Sequence, residues 1–265
     1  MKNLIKKTLR YINSINDKND QDLKELTTYL IDEIIKINKK ENNYRNLDKK
    51  KLIEFVRDLK GTSITESLKI IESIIKTSEL DGDICEFGVA QGKTSKLMSY
   101  LIQNTSKKIY LYDSFEGLPD PSTKDILKDD IFNLKKIENY KGKMSHAETK
   151  VVKELKSINF NFDKLIINKG FFNKENIKNY IFPEFISFAY LDFDFYQPTI
   201  DSLEIIEKKL IKGSIIIIDD YDFFSTGAKT ALDEWYQTKS KYFDLKIVKT
   251  LNSSFAIIEK IKLKR

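Results

Sequence analysis

The sequence predicts an α/β fold built on a mostly parallel sheet, preceded by a helical extension. Three observations predict it. The runs Ile186 to Leu191 and Ser214 to Ile218 are short, apolar and rich in β-branched or aromatic residues, and a single amphipathic helix separates them, which is the pattern of a βαβ unit. A near-continuous isoleucine run cannot alternate between a wet and a dry face, so both strands belong inside a sheet covered on both sides. Upstream, Ile84 to Phe87 leads through the glycine-bearing stretch Gly88 to Gly92 into a helix from Thr94, a strand-to-helix turn that lets a ligand approach the backbone.

Taken in order, residues 1–61 form an N-terminal helical section. Leu23, Leu26, Leu30, Ile34, Ile35 and Ile37 recur at helical spacing, as do Leu52, Phe55, Val56 and Leu59, with the polar loop NKKENNYRN between. This section reads as a cap on the main domain or as a contact with a second copy of the chain, hence a homo-oligomer; a lid over substrate is its functional version. The main domain, 62–265, opens with a helix capped by Ser63 or Thr65, whose inner face carries Leu68, Ile71, Ile74 and Ile75. ELDGD then turns into the strand at Ile84, and Leu97, Met98 and Leu101 face inward from the following helix. A second strand runs from Lys108 to Tyr112 and is closed by Asp113; Leu165 to Gly170 reads as the third. Residues 120–147 look like an insertion over the ligand edge, a candidate substrate lid. Beyond Ile218, Ser225 or Thr226 caps a helix through Ala231, Leu232 and Trp235. Phe243 to Lys249 and Phe255 to Glu259 then form a hairpin about Asn252-Ser253.

Composition narrows the class. At 265 residues, 41% hydrophobic and 32% charged, the chain suits one large globular domain with an extension. Its apolar runs are of strand length, so no membrane span is expected, and the start lacks the apolar core of a secretory signal. The single cysteine, Cys85, forbids an intrachain disulfide and reads as a buried hydrophobe in a cytoplasmic protein. A net charge of +6 raises nucleic acid as a partner. The lysines are spread over almost every helix among acids, without an Arg-rich stripe, so no nucleic-acid partner is expected.

The chemistry gathers at strand ends. Asp192 and Asp194 follow the first apolar run, and Asp219 and Asp220 follow the second. In open parallel sheets the carboxyl ends of the strands border the ligand crevice, so these acids are delivered to one edge. Helix or loop capping explains one Asp per strand and not the doubling. Crowded carboxylates favour a cation, a proton or a basic partner, and oxygen-only ligands suit Mg²⁺, Mn²⁺ or Ca²⁺ rather than zinc. In an extended strand Asp192 and Asp194 share a face, whereas Asp219 and Asp220 do so only if the strand ends between them, which is expected. The loop lacks the third glycine of a dinucleotide fingerprint, and Gly88-Val-Ala-Gln-Gly92-Lys93-Thr94 is one residue short of a phosphate-binding P-loop. A Mg²⁺-dependent NTPase is therefore the alternative enzyme, and a noncatalytic nucleic-acid-binding protein the alternative of another class. The lone histidine, His146, lies in a polar loop and reads as a surface or capping residue.

Four motifs in order carry a resemblance: EFGVAQG at 86–92, YDSFEGLP at 112–119, LDFDFYQPT at 191–199 and IIDDY at 217–221. Together they resemble the macrocin O-methyltransferase family, over about residues 60–235. The resemblance implies a Rossmann-like class I methyltransferase with a seven-stranded sheet and an antiparallel last strand, using S-adenosylmethionine (SAM) and a divalent metal on sugar hydroxyls. It implies a cofactor site at Glu86, Gly88, Ala90, Gly92, Thr94, Asp113, Ser114, Gly170 and Phe171, in which Glu86 and Gly88 border the methionine portion. Asp113 accepts from the ribose hydroxyls, and Gly170, Phe171 and Phe172 flank the adenine or pack in the core. Phe115 and Leu118 read as packing residues. A sugar hydroxyl is a weak nucleophile, so Mg²⁺ or Mn²⁺ on Asp192, Asp219 and Asp220 would lower its pKa and fix the line of attack. Asp192 is the candidate general base and Asp194 the reserve. The acceptor is a carbohydrate: a sugar nucleotide, a surface glycan or an antibiotic sugar.

Overall fold

The computed structural model describes residues 20–37, 47–59, 61–250 and 253–263. Helices α1 (Asp20–Ile37) and α2 (Lys49–Asp58) precede α3 (Ile64–Lys76). The sheet then begins with β1 (Asp83–Phe87), followed by α4 (Lys93–Ile102), β2 (Ile109–Asp113), α5 (Glu148–Lys156), β3 (Leu165–Lys169) and β4 (Ile186–Leu191). Helix α6 (Tyr196–Ile206), β5 (Leu210–Ile218), α7 (Gly227–Gln237), β6 (Phe243–Lys249) and β7 (Ser254–Lys260) complete the chain order. Among the described residues no helix is long and apolar enough to cross a membrane.

The seven strands stand in the order β3-β2-β1-β4-β5-β7-β6. The first five are parallel, and β7 runs antiparallel to both β5 and β6. The order reverses between β1 and β4, which opens the ligand crevice of a doubly wound sheet at their carboxyl ends. Both faces are covered, as the isoleucine run requires. Ile215 and Ile217 pack into one core with α1 to α5, while Ile216 and Ile218 pack into a second core with α6 and α7. Cys85 is fully buried.

Ser63 caps α3, its Oγ accepting from Glu66 N at 3.2 Å; Thr65 lies inside the helix. In the N-terminal section Leu30, Ile34, Leu52, Val56 and Leu59 are buried in the first core, with Ile35 and Phe55 packed against it. This section therefore packs on the main body of the same chain. The side chains of Leu23, Leu26 and Ile37 and the NKKENNYRN loop lie outside the described residues.

Two expectations change in detail. Strand β5 starts at Leu210 rather than Ser214: Gly213, with φ 92°, carries the chain through an irregularity at which the pairing with β4 shifts from Ile186–Leu210 to Phe188–Ile215. Its assigned end is Ile218, although Asp219 N still donates to Leu191 O at 2.8 Å, so the ladder closes between the two acids. Asp194 does not continue an extended strand: β4 ends at Leu191 and Asp194 turns with φ 59°. The second acid thus reaches the crevice by a left-handed turn and not by strand alternation.

Residues 120–147 carry only a short 3-10 turn at Ile137–Tyr140 and an isolated bridge, Leu127 to Ser225. They hold their own small core, in which Leu118, Ile137 and Tyr140 pack with Phe195 and Phe224. Asp125, 4% exposed, fastens the segment: its Oδ1 accepts from Tyr196 N at the start of α6 (2.7 Å), and its Oδ2 from Ser122 N (2.7 Å). A Cβ on Gly227, the first residue of α7, would come within 2.1 Å of Asp125 Oδ1.

Candidate active site

A cavity of about 590 Å³ lies over the carboxyl ends of the parallel strands. Its walls come from the predicted positions Gly88, Ala90, Asp113, Ser114, Phe171, Asp192, Asp219 and Asp220, brought together from the ends of five strands, β1 to β5. Asp194, Gln91, Phe172 and Phe193 join them, and the 120–147 segment contributes Ile131, Phe132, Met144, Ser145 and His146.

The glycine turn and the acid turn are locked together. Asp192 N donates to Phe87 O at 2.7 Å, and a Cβ on Gly88 would come within 1.9 Å of Asp192 O. Only glycine fits at Gly88, whose φ of 83° also favours it. Asp113 braces the same turn: Oδ2 accepts from Val89 N (2.6 Å) and Ala90 N (3.0 Å), and Oδ1 from Phe115 N (2.6 Å). Ala90, Phe115, Asp194 and Asp220 all hold positive φ, a concentration of backbone strain of the kind that functional sites retain.

Four predicted positions stand apart from the cavity wall. Glu86, 1% exposed, turns beneath α4 and accepts from Ser95 Oγ; burial pushes its carboxyl well above the ordinary range. Gly92 holds the N-cap of α4 with φ 76° and packs on Val151, Thr94 follows inside that helix, and Gly170 packs on Tyr180. Phe172 joins an aromatic group with Phe87, Tyr112 and Phe182.

His146 does not cap a helix. The N-cap of α5 is Ala147, and His146 instead lines the cavity with Nδ1 at 3.4 Å from Lys150 Nζ. Partial burial, and then the Lys150 charge, lower its pKa and favour the neutral ring. A loop histidine carries no periodic signal, which is why sequence spacing places it at the surface. Gly61 and Thr62 also line the cavity; they precede the Ser63 cap, and nothing local marks them.

The acids form one group, in which Asp194 and Asp219 are buried and Asp192 and Asp220 partly buried. Asp219 Oδ1 accepts from Asp220 N at 2.7 Å and Oδ2 from Tyr190 Oη at 2.7 Å, while Asp220 Oδ1 accepts from Ser253 Oγ at 3.0 Å. Among the described residues no lysine or arginine pairs with Asp192, Asp194, Asp219 or Asp220. Burial is the main cause that pushes Asp192 and Asp220 well up, followed by the charge of Asp219; Asp194 is pushed up to about 7 by burial and then by Asp219. Such a group lacks positive charge. All its donors are carboxylate or hydroxyl oxygens, which suits a hard divalent ion. Among the described residues no three acids already close around one point. Lys93, the residue that a P-loop would aim at a phosphate, is paired instead with Asp58 and Glu154.

A 3-2-1-4-5-7-6 sheet with this cavity at its switch point is the fold of the class I Rossmann-like O-methyltransferases. The chain belongs to the macrocin-O-methyltransferase (TylF) family, whose profile matches residues 3–252. It is 24% identical over 164 residues to the 8-demethyl-8-(2,3-dimethoxy-alpha-L-rhamnosyl)-tetracenomycin-C 4'-O-methyltransferase of Streptomyces olivaceus, a match spanning 61% of each chain. Its fold is similar to that of the O-methyltransferase NovP, with a TM-score of 0.61 at 18% identity over 88% of this chain and 98% of that one. It is also similar to the calicheamicin methyltransferase CalS11, with a TM-score of 0.58 at 19% identity over 91% and 94% of the two chains.

Proposed function

We propose that this chain is a SAM-dependent, divalent-cation-assisted O-methyltransferase acting on a carbohydrate hydroxyl. The observation that carries the reading is the juxtaposition of a glycine turn and Asp113 with a group of buried and partly buried acids that no described lysine or arginine pairs, in one cavity. Family membership supports the methyl-transfer part, and the rhamnosyl group in the relative's name supports a sugar acceptor.

In this reading Gly88, Ala90, Asp113, Ser114 and Phe171 bind the cofactor, whose sulfonium supplies an activated methyl. Gly92 and Thr94 set the start of α4, while Glu86 and Gly170 support the site from behind its wall. A sugar-hydroxyl proton is too tightly held to leave unaided at neutral pH. Mg²⁺ or Mn²⁺ on Asp192, Asp219 and Asp220 would supply Lewis acidity there. Asp192 takes the hydroxyl proton, with Asp194 beside it in the same cavity. The apolar side chains of the 120–147 segment exclude water from the acceptor. The helices before Thr62 act as a cap through which copies associate, in a cytoplasmic enzyme that takes sugar nucleotides or glycosides rather than nucleic acid.

Mass spectrometry of a panel of sugar nucleotides and glycosides, incubated with the protein, SAM and Mg²⁺, tests this directly. One acceptor gains a methyl group if the reading holds. Calorimetry that finds ATP binding and no SAM binding would replace it with the NTPase.

A further inference from the structure

Glu66 is an acid that the motifs do not include. It stands in Ser63-Ile64-Thr65-Glu66, a capping-box sequence in which the glutamate ordinarily folds back to the start of its own helix. The serine half of that box forms, with Ser63 Oγ accepting from Glu66 N. The carboxyl, however, turns into the protein at 2% exposure and accepts from Tyr190 Oη at 3.4 Å. Tyr190 is fully buried in β4, and its shorter bond, 2.7 Å, goes to Asp219 Oδ2. Asp219 is thereby held on both oxygens, by Tyr190 on one and by Asp220 N on the other.

Alternation along the strands explains the meeting. Tyr190, Ile215 and Ile217 face the core that α3 covers, and Asp219 follows in the same parity as the two isoleucines. Burying a carboxyl beside other acids and without a cation is costly, whereas the local sequence offers Glu66 a solvated cap. A side chain placed at such cost against a site acid serves that site.

We propose that Tyr190 and Glu66 are positioning residues that orient the Asp219 carboxylate, so that divalent-cation affinity depends on two side chains outside the cavity wall. The inference rests on the cation reading given above. Outer partners that orient ligands typically shift metal affinity by about 10- to 100-fold.

Three measurements on the full chain test it: Mn²⁺ affinity by paramagnetic resonance, S-adenosylhomocysteine affinity by calorimetry, and the melting temperature without metal. Tyr190→Phe should weaken Mn²⁺ binding by about 10- to 100-fold with the nucleoside affinity unchanged. Glu66→Leu should weaken Mn²⁺ binding while the metal-free protein melts at the wild-type temperature or above, because a buried, cation-free acid has gone. A purely structural residue would lower stability and leave the affinity of the folded protein alone. Glu66→Gln, which keeps the volume and an acceptor oxygen for Tyr190, should retain Mn²⁺ affinity, and it keeps the test open if the leucine variant does not fold. Wild-type Mn²⁺ affinity in Tyr190→Phe or in Glu66→Leu, or a loss in Glu66→Gln as large as in Glu66→Leu, overturns the proposal. A wild-type protein that binds no Mn²⁺ overturns the cation reading itself and the inference with it.

Discussion

Asp192 is held by its backbone and left free at its carboxyl: the amide is tied to Phe87 O, and Gly88 packs against the carbonyl. Replacing the carboxyl by an amide should therefore leave the fold and the cofactor pocket intact. Asp192→Asn should lose turnover while its SAM affinity, read by calorimetry, stays near wild type. Glu86 gives the opposite case. Burial raises its pKa, so above the ordinary glutamate range the folded chain retains a proton that the unfolded chain releases. Stability therefore falls as pH rises from that range through the raised value. Glu86→Gln should melt above wild type at about pH 8 and converge with it near about pH 4. At this scale the doubled aspartates were legible because strand ends collect ligands. Glu66, Tyr190 and Thr62 were not, since their roles come from contacts more than a hundred positions apart or from a cavity wall that has no local signature.

The strands were legible as elements because apolar β-branched runs leave little alternative in a buried parallel sheet, and the amphipathic stripes of α3, α4 and α7 fixed their inner faces. The 120–147 segment was legible as an insertion, but not as a fastened one, because it has no period to read. Asp125 is one of its fastenings, beside the Lys124–Glu234 and Lys128–Asp222 ion pairs and the Leu127 bridge: it accepts from the start of α6 and lies against Gly227 of α7. Asp125→Ala removes the acceptor for the first amide of α6 and leaves partly buried amides unpaired. It should cost about 1 to 2 kcal/mol in urea unfolding and raise the acceptor KM more than the SAM KM. Gly227→Ala should be destabilising as well, since its Cβ would meet Asp125 Oδ1 and the Tyr196 amide.

For the molecule as a whole, a chain of net charge +6 keeps its catalytic candidates in an acidic hollow that no lysine or arginine lines among the described residues. The basic charge lies elsewhere, as the mixed distribution of lysines already indicated. The sheet order joins the two halves of the site: β1 and β2 deliver the glycine turn and Asp113, the proposed cofactor side, β4 and β5 the acids, and the reversal between β1 and β4 sets them on one cavity. If that joining is the basis of function, the acids must carry a divalent ion for methyl transfer to occur. The decisive measurement is methyl transfer from SAM to a responsive sugar acceptor by protein stripped of metal, followed by mass spectrometry before and after Mg²⁺ is restored. The account predicts no methylated product from the stripped protein and recovery on adding Mg²⁺; full turnover with no metal left in the protein would contradict it.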